Sequence, residues 1–258
     1  MTAARALVIV PDAVTVAPHI NAEQASAIGG RTLEVFADTP RINRWIYSKL
    51  APHVQGDVLE IGSGVGNLSE HIVGDAARVV LSDMEPHYLQ ALGQRFAGDS
   101  RVSVSRYDLD DDPPVEIARR RFDAIVAVNV VEHIADDRAL VARLAKLLKP
   151  GGKLLIYVPA CPFAYGSLDR ALGHYRRYTR ASLTKLLADA GLHLDAPRFM
   201  NLFGLLGWTV NGRILRRERL SAVQLAIFES LMPLFSLEDR VRLPIGLGVY
   251  VAAEKPSA

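Results

Sequence analysis

The stretch Val58–Leu68, VLEIGSGVGNL, constrains the fold more than any other part of this 258-residue chain. It opens on Val58-Leu59-Glu60-Ile61, a short, mainly apolar run that suits a strand buried in a parallel sheet. Gly62, Ser63, Gly64, Val65 and Gly66 follow, and then Leu68, Ile72 and Val73 recur at helical spacing. Strand, glycine turn and helix make the first crossover of a doubly wound α/β sheet. Lacking Cβ atoms, the glycines let the chain turn sharply and leave bare main chain against which a ligand can lie. The G-x-G-x-x-G dinucleotide pattern is broken, because its third glycine would fall at Asn67, and a dehydrogenase is the weaker reading.

Composition limits the remaining choices. The chain is long enough for one full α/β domain, residues 1–258, without requiring a second. Half of it is apolar and 22% is charged, as in ordinary globular proteins. A net charge of +2 is too small to argue for nucleic acid unless it is clustered. The single cysteine, Cys161, excludes an intrachain disulfide, suits a reducing cytoplasm and reads as a small buried apolar residue. The N-terminal ALVIVPDAVTVAP has no continuous apolar core, so no signal peptide is expected, and no run is long enough for a transmembrane segment.

Residues 1–20 show no helical period. Two helices are expected between Asn21 and Leu50, parted near Thr39-Pro40, so that residues 1–50 form a helical N-terminal arm. Further strands are expected at Arg78–Ser82, Val102–Tyr107, Phe122–Val128 and Lys153–Val158. A helix from Asp136 should stop at Lys149-Pro150-Gly151-Gly152. Residues 159–179 read as loop, 180–190 as helix, Leu192 onward as strand six, and about Gly246–Ala253 as the last strand. Residues 201–244 exceed the hairpin such a fold needs and read as a cap inserted before that strand.

The E-x-G-x-G-x-G run from Glu60 resembles motif I of the class I S-adenosylmethionine-dependent methyltransferases. Three more signals occur in that family's order: Asp83 after strand two, Glu132-His133 after strand four, and the L-K-P-G-G-x-L-x-I turn at strand five. The resemblance covers Trp45 to Val158. It implies a Rossmann-like, seven-stranded, mostly parallel sheet whose last strand is antiparallel, with helices on both faces. It also implies S-adenosylmethionine as cofactor, S-adenosylhomocysteine as product, and a cofactor set of Tyr47, Glu60, Gly62, Ser63, Gly64, Gly66, Asn67, Asp83, Met84, Asp108, Leu109 and Asn129. Asp83 lies 17 residues past Gly66, where such folds place a carboxylate on ribose, although it could instead cap the next helix. Met84 would pack on adenine and Asp108 would accept from its amino group; Tyr47, Asn43 or Arg44 would close over the methionine end, unless their helix only packs Ile42, Trp45 and Ile46 on the sheet.

A sulfonium methyl is already electrophilic, so the enzyme mainly aligns donor and acceptor and excludes water. A base is needed only where the acceptor keeps its proton at neutral pH, as a hydroxyl does. His133 and His174 are the candidates, since both should reach the crevice. Ubiquinone-pathway and small-RNA O-methyltransferases bind a metal with E-x-x-E-H at this place. Here Asn129 replaces the first acid, so no metal is expected and Glu132 with His133 reads equally well as a hydrogen-bonded structural pair. Tyr165, Arg176, Arg177, Tyr178 and Trp208 are expected to hold the acceptor, Arg through its planar fork for carboxylate or phosphate.

The chain is therefore expected to be a cytoplasmic methyltransferase acting on a small-molecule acceptor, with oxygen the first choice of atom. Anionic or lipid-linked acceptors are allowed for, as is a homodimer; a nucleic-acid partner is not expected. N- or C-methylation by proximity alone is the near rival, and a cofactor-binding protein without transfer activity the more distant one.

Overall fold

The structure is a computed structural model and describes residues 39–257. Expectations for residues 1–38, including the first helix of the N-terminal arm, lie outside the described residues.

Helix α1 (Pro40–Leu50) starts on its proline and buries Ile42, Trp45, Ile46, Tyr47 and Leu50. Strand β1 (Asp57–Ile61) leads through the glycine turn to α2 (Ser69–Asp75), and β2 (Arg78–Asp83) to α3 (Pro86–Arg95). Then come β3 (Val102–Arg106), the short α4 (Val115–Ala118), β4 (Phe122–Val128) and α5 (Asp137–Leu147). Asp136 caps α5 by accepting from the Ala139 amide at 2.9 Å, a bond of a kind worth about 1 kcal/mol.

Strand β5 (Leu148–Pro159) begins where α5 ends, so the Lys149–Gly152 stretch lies inside the strand rather than in a separating turn. The pairing is irregular there, with a register shift opposite Phe122–Ala124 and hydrogen bonds between Gly151, Gly152 and Lys255. The segment after β5 holds a short helix, α6 (Ser167–Ala171), within what the sequence reads as loop, followed by α7 (Arg180–Asp189). Strand six is split into β6 (His193–Leu194) and β7 (Arg198–Met200), with Asp195, Ala196 and Pro197 between. Both pieces pair antiparallel with β8 (Gly248–Glu254). Proline cannot donate to a ladder, which is why one expected strand becomes two and seven strands become eight.

The order is β3-β2-β1-β4-β5-β8-β6, parallel from β3 to β5 and antiparallel at β8. Alternate residues of the central strands build two cores. Leu59, Ile61, Ile125, Ala127, Leu154 and Ile156 pack with Leu140, Leu144, Leu183 and Leu187 of α5 and α7. Val58, Val79, Leu81, Ala124, Val126 and Leu155 pack with Leu50, Ile72, Val73 and Leu92 on the other side. Covering both faces explains why these strands read as continuous apolar runs.

Between β7 and β8 the chain forms α8 (Leu202–Thr209), continued by a π turn at Val210–Ile214, and α9 (Ala222–Phe235). Ile42, Trp45 and Ile46 of α1 pack against Met232 and Phe235 of α9 and Tyr157 of β5. Among the described residues no helix is long and apolar enough to cross a membrane.

Candidate active site at the carboxyl ends of the strands

Parallel register brings the ends of four strands to one edge. Ile61 pairs with Ser82 and with Ala127, and Asp83 with Arg106. The glycine turn leaves this edge. Gly62 is exposed with φ +66°, and a Cβ there would stand 2.5 Å from Val130 Cγ2. Gly64 (φ +53°) donates its amide to Asp83 Oδ2 at 2.9 Å, while the Glu85 amide donates to Asp83 Oδ1 at 3.0 Å. Asp83 thus ties the glycine turn to the end of β2. Its side chain does not cap α3, whose first turn starts from Glu85. Burial raises the Asp83 carboxyl, against three amides that lower it.

Glu60 is buried beneath this turn and accepts from the Ser69 hydroxyl. Burial pushes its carboxyl up to about 7, with Ser69 and Ser63 opposing and the Asp83 charge adding to the rise. Ser63 Oγ accepts from the Ser82 amide at 3.2 Å, locking the turn to β2. Met84 is half-exposed just past Asp83, Leu109 is buried, and Asp108 turns back to accept from the Asp110 amide at 3.2 Å. Asn129 is exposed at the end of β4 with φ +52°, its amide bonded to Tyr157 O at 2.9 Å. Asn67 is half-buried in the turn. Tyr47 is placed elsewhere: its ring stacks on His71 and its hydroxyl donates to Asp75 Oδ2 at 2.5 Å, on the far end of α2.

Beside the glycine turn lies a buried polar cluster. Its centre is Asp169, fully shielded in α6. Oδ1 accepts from Arg177 Nε at 2.7 Å and faces His174 Nδ1 at 3.0 Å; Oδ2 accepts from the Gly166 amide at 2.9 Å and Trp208 Nε1 at 3.0 Å. Burial alone would raise this carboxyl, but His174, Arg177 and Trp208 outweigh it and hold it below the usual carboxylate range. An ionised Asp169 can only accept, so His174 carries a proton on Nδ1 and turns Nε2 away from the carboxylate. That Nε2 lies 4.0 Å from Glu132 Oε1, and the His174 ring meets the His133 ring edge-on at 4.8 Å between centroids. The Tyr175 amide fixes the loop by donating to Glu132 O at 2.8 Å.

Glu132 is fully buried, and among the described residues neither carboxyl oxygen has a hydrogen-bond partner. Burial pushes it up to about 8, so it holds its proton at neutral pH. The hydrogen-bonded Glu132–His133 pair that the sequence allows is not formed. His133 keeps an accessible edge, and desolvation followed by the His174 ring lowers its pKa, leaving it neutral. The donor atoms of Glu132, His133 and His174 lie within 4.8 Å of one another. One carboxyl and two imidazoles suit a divalent cation, a donor set that the sequence reading discounts because of Asn129.

The expected acceptor-binding residues are turned inward. Arg176 gives its guanidinium to Ile134 O, Ala135 O and Asp137. Arg177 is buried, bonds Ala160 O at 2.8 Å as well as Asp169, and lies over the Trp208 ring. Tyr178 donates to Asp137 Oδ2 at 2.8 Å, and Tyr165 to His174 O at 2.8 Å. These contacts build the walls of the cluster and fix the His174 loop. Asp169 stands among the polar residues of the 159–179 stretch, but the sequence assigns it no role. Its signal was an acid five residues before His174 and eight before Arg177, in a stretch without regular period.

A family model described as a methyltransferase domain matches residues 59–154. A ubiquinone biosynthesis O-methyltransferase of Xylella fastidiosa is 30% identical over 166 residues, which are 57% of this chain and 65% of that protein. One of Xanthomonas axonopodis is 30% identical over 152 residues, 54% of this chain and 63% of that protein. The match thus spans less than two thirds of either relative. Among solved structures, a Haemonchus contortus phosphoethanolamine N-methyltransferase bound to S-adenosylmethionine superposes with TM-score 0.61 at 18% identity, over 92% of this chain and 59% of that one. The N-methyltransferase NodS of Bradyrhizobium japonicum with S-adenosylhomocysteine gives 0.59 at 16% identity, over 91% and 100%. At these identities the likeness shows the fold.

Proposed function

We propose that the chain, whose residues 59–154 match a methyltransferase-domain model, is a class I S-adenosylmethionine-dependent enzyme that methylates a hydroxyl of a small-molecule acceptor with His174 as the base. The crevice fits the cofactor on its own terms. Gly62 is exposed with bare main chain, and Asp83, held at the end of β2 by the Gly64 and Glu85 amides, keeps further lone pairs to accept from ribose hydroxyls. Gly62, Gly64, Asp83, Met84, Asp108 and Asn129 would hold it, with Glu60 bracing the turn from below. When bound, S-adenosylmethionine supplies a sulfonium methyl open to in-line displacement.

The observation that carries the choice of oxygen is the Asp169–His174 contact at 3.0 Å. Asp169 fixes the tautomer and would stabilise the imidazolium formed when Nε2 takes the acceptor's proton. His133 is accessible but held neutral by its depressed pKa, which makes it a weak base and a better orienting group. Replacing His174 by Ala and Asp169 by Asn should each lower turnover with a hydroxyl acceptor while cofactor affinity holds. Undiminished turnover in both would transfer the reading to methylation by proximity alone, as in N- or C-transfer. The acceptor itself, anionic or lipid-linked, and a cytoplasmic site of action remain parts of this proposal.

One further observation favours a second reading. Glu132 has a buried carboxyl with no partner, facing two imidazoles. Glu132, His133 and His174 could hold a divalent cation, which would supply Lewis-acid polarisation of an acceptor oxygen. Turnover abolished by EDTA and restored by one added metal would favour this reading; turnover indifferent to EDTA would leave His174 as the base.

A further inference from the structure

The segment between β7 and β8 folds into an antiparallel helical hairpin. Phe203 at the start of α8 stacks on Phe235 at the end of α9, at 4.5 Å between centroids. At the opposite end, Gln224 Nε2 donates to Asn211 Oδ1 at 3.0 Å. The inner face is anchored over the polar cluster through Trp208 and through Ser167 Oγ, which donates to Gly212 O at 2.9 Å.

The outer face has no such partner among the described residues. Leu206, Val210 and Ile214 recur along the first arm, each between 43% and 70% exposed, while Phe203 turns to Phe235. Val223, Ile227, Leu231 and Leu234 recur along α9, between 41% and 67% exposed. These are two helical stripes of large apolar side chains turned to solvent, far beyond the singly scattered apolar residues of an ordinary surface. Their only charged companion within α9, Glu229, is used elsewhere: it accepts from the Arg41 and Ile42 amides at the start of α1.

The charge sits at the hairpin's tip. Arg213, Arg216, Arg217 and Arg219 are exposed there against a single acid, Glu218. Beside the tip a cleft of about 500 Å³ is lined by Tyr165, Gly166, Arg170, Arg213 and Arg216. A chain whose net charge is only +2 has thus placed four arginines at the rim of this apolar face. Apolar side chains that enter the acyl boundary, with arginines at headgroup level, are what an anionic interface selects. The geometry points to this hairpin as a surface that docks on an anionic phospholipid bilayer, lying in its interface without crossing it.

Sedimentation of the full chain with vesicles tests this. With phosphatidylcholine–phosphatidylglycerol vesicles at low salt the protein should sediment; with phosphatidylcholine alone it should stay in solution. Raising salt should release it, and Arg216→Ala with Arg219→Ala should weaken binding on the order of tenfold. Ile227→Asp with Leu231→Asp should abolish binding while the urea midpoint and S-adenosylhomocysteine affinity hold, since both side chains face solvent. Failure to sediment with anionic vesicles at low salt overturns the proposal. So does sedimentation that survives the Ile227→Asp, Leu231→Asp change, or a lipid-free dimer dissolved by that change in a protein that never binds vesicles.

Discussion

His174 Nδ1 stands 3.0 Å from Asp169 Oδ1, and the same carboxylate is gripped by Arg177, Trp208 and the Gly166 amide. Four donors on one shielded carboxylate make it the keystone of the region beyond β5. It locks the short helix α6, the His174 loop and the first arm of the hairpin to one another.

Asp169→Asn removes the charge that Arg177 and His174 share. A buried cation left without its partner costs about 3–5 kcal/mol. The urea midpoint should fall accordingly, and Trp208 fluorescence should report loosening of the hairpin. A variant as stable as the parent would mean that Arg177 finds compensation elsewhere.

His174→Ala should lower kcat with a hydroxyl acceptor by about 10²–10⁴-fold, and S-adenosylhomocysteine affinity should not move. His133→Ala should act chiefly on KM for the acceptor. Steady-state kinetics on both variants separates the two roles.

Glu132 sets a pH dependence. Its folded pKa of about 8 lies well above the ordinary 4.5, so the folded state keeps a proton the unfolded chain releases. Its contribution is fully present below the unfolded value and is lost as pH rises through the folded one. The Glu132 contribution should therefore decline between about pH 4.5 and pH 8; His133, lowered to about 3, opposes it up to about pH 6.5, so the decline should be steepest above that, and Glu132→Gln should flatten it. Glu60, pushed up to about 7, adds a slope of the same sign over a narrower window. Urea midpoints across this range decide the matter.

Gly62→Ala forces a side chain into φ +66° and against Val130 at 2.5 Å. The strain should cost about 1–3 kcal/mol and weaken S-adenosylhomocysteine binding, because the displaced turn no longer presents its main chain. Gly74→Ala, where a Cβ meets nothing within 4 Å, serves as the neutral control.

What was legible in the sequence was local. The strand, the positive-φ glycines and Asp83 follow from a short apolar run and turn chemistry within a few residues of each other. The Asp136 cap and the helix that follows it show themselves by spacing alone. What was not legible depends on the meeting of distant segments. Asp169 finds Trp208 across 39 residues, and Arg176 turns back to Ile134 across 42; no period announces either. The arginines and tyrosines of Gly173–Tyr178 looked like an acceptor grip because composition shows charge without showing where its partners sit. The sequence reads strand six as one piece, since a proline such as Pro197 can as readily end an edge strand as sit within it, and the structure has two.

On the proposed function the Gly62–Gly66 turn and Asp83 would hold the methyl donor. Titration calorimetry of the purified protein with S-adenosylhomocysteine, in parallel with NADH, tests it most directly. Micromolar binding of S-adenosylhomocysteine, no heat with NADH, and a marked loss in Asp83→Ala are the predicted result. No binding of S-adenosylhomocysteine, or binding indifferent to Asp83→Ala, would contradict it.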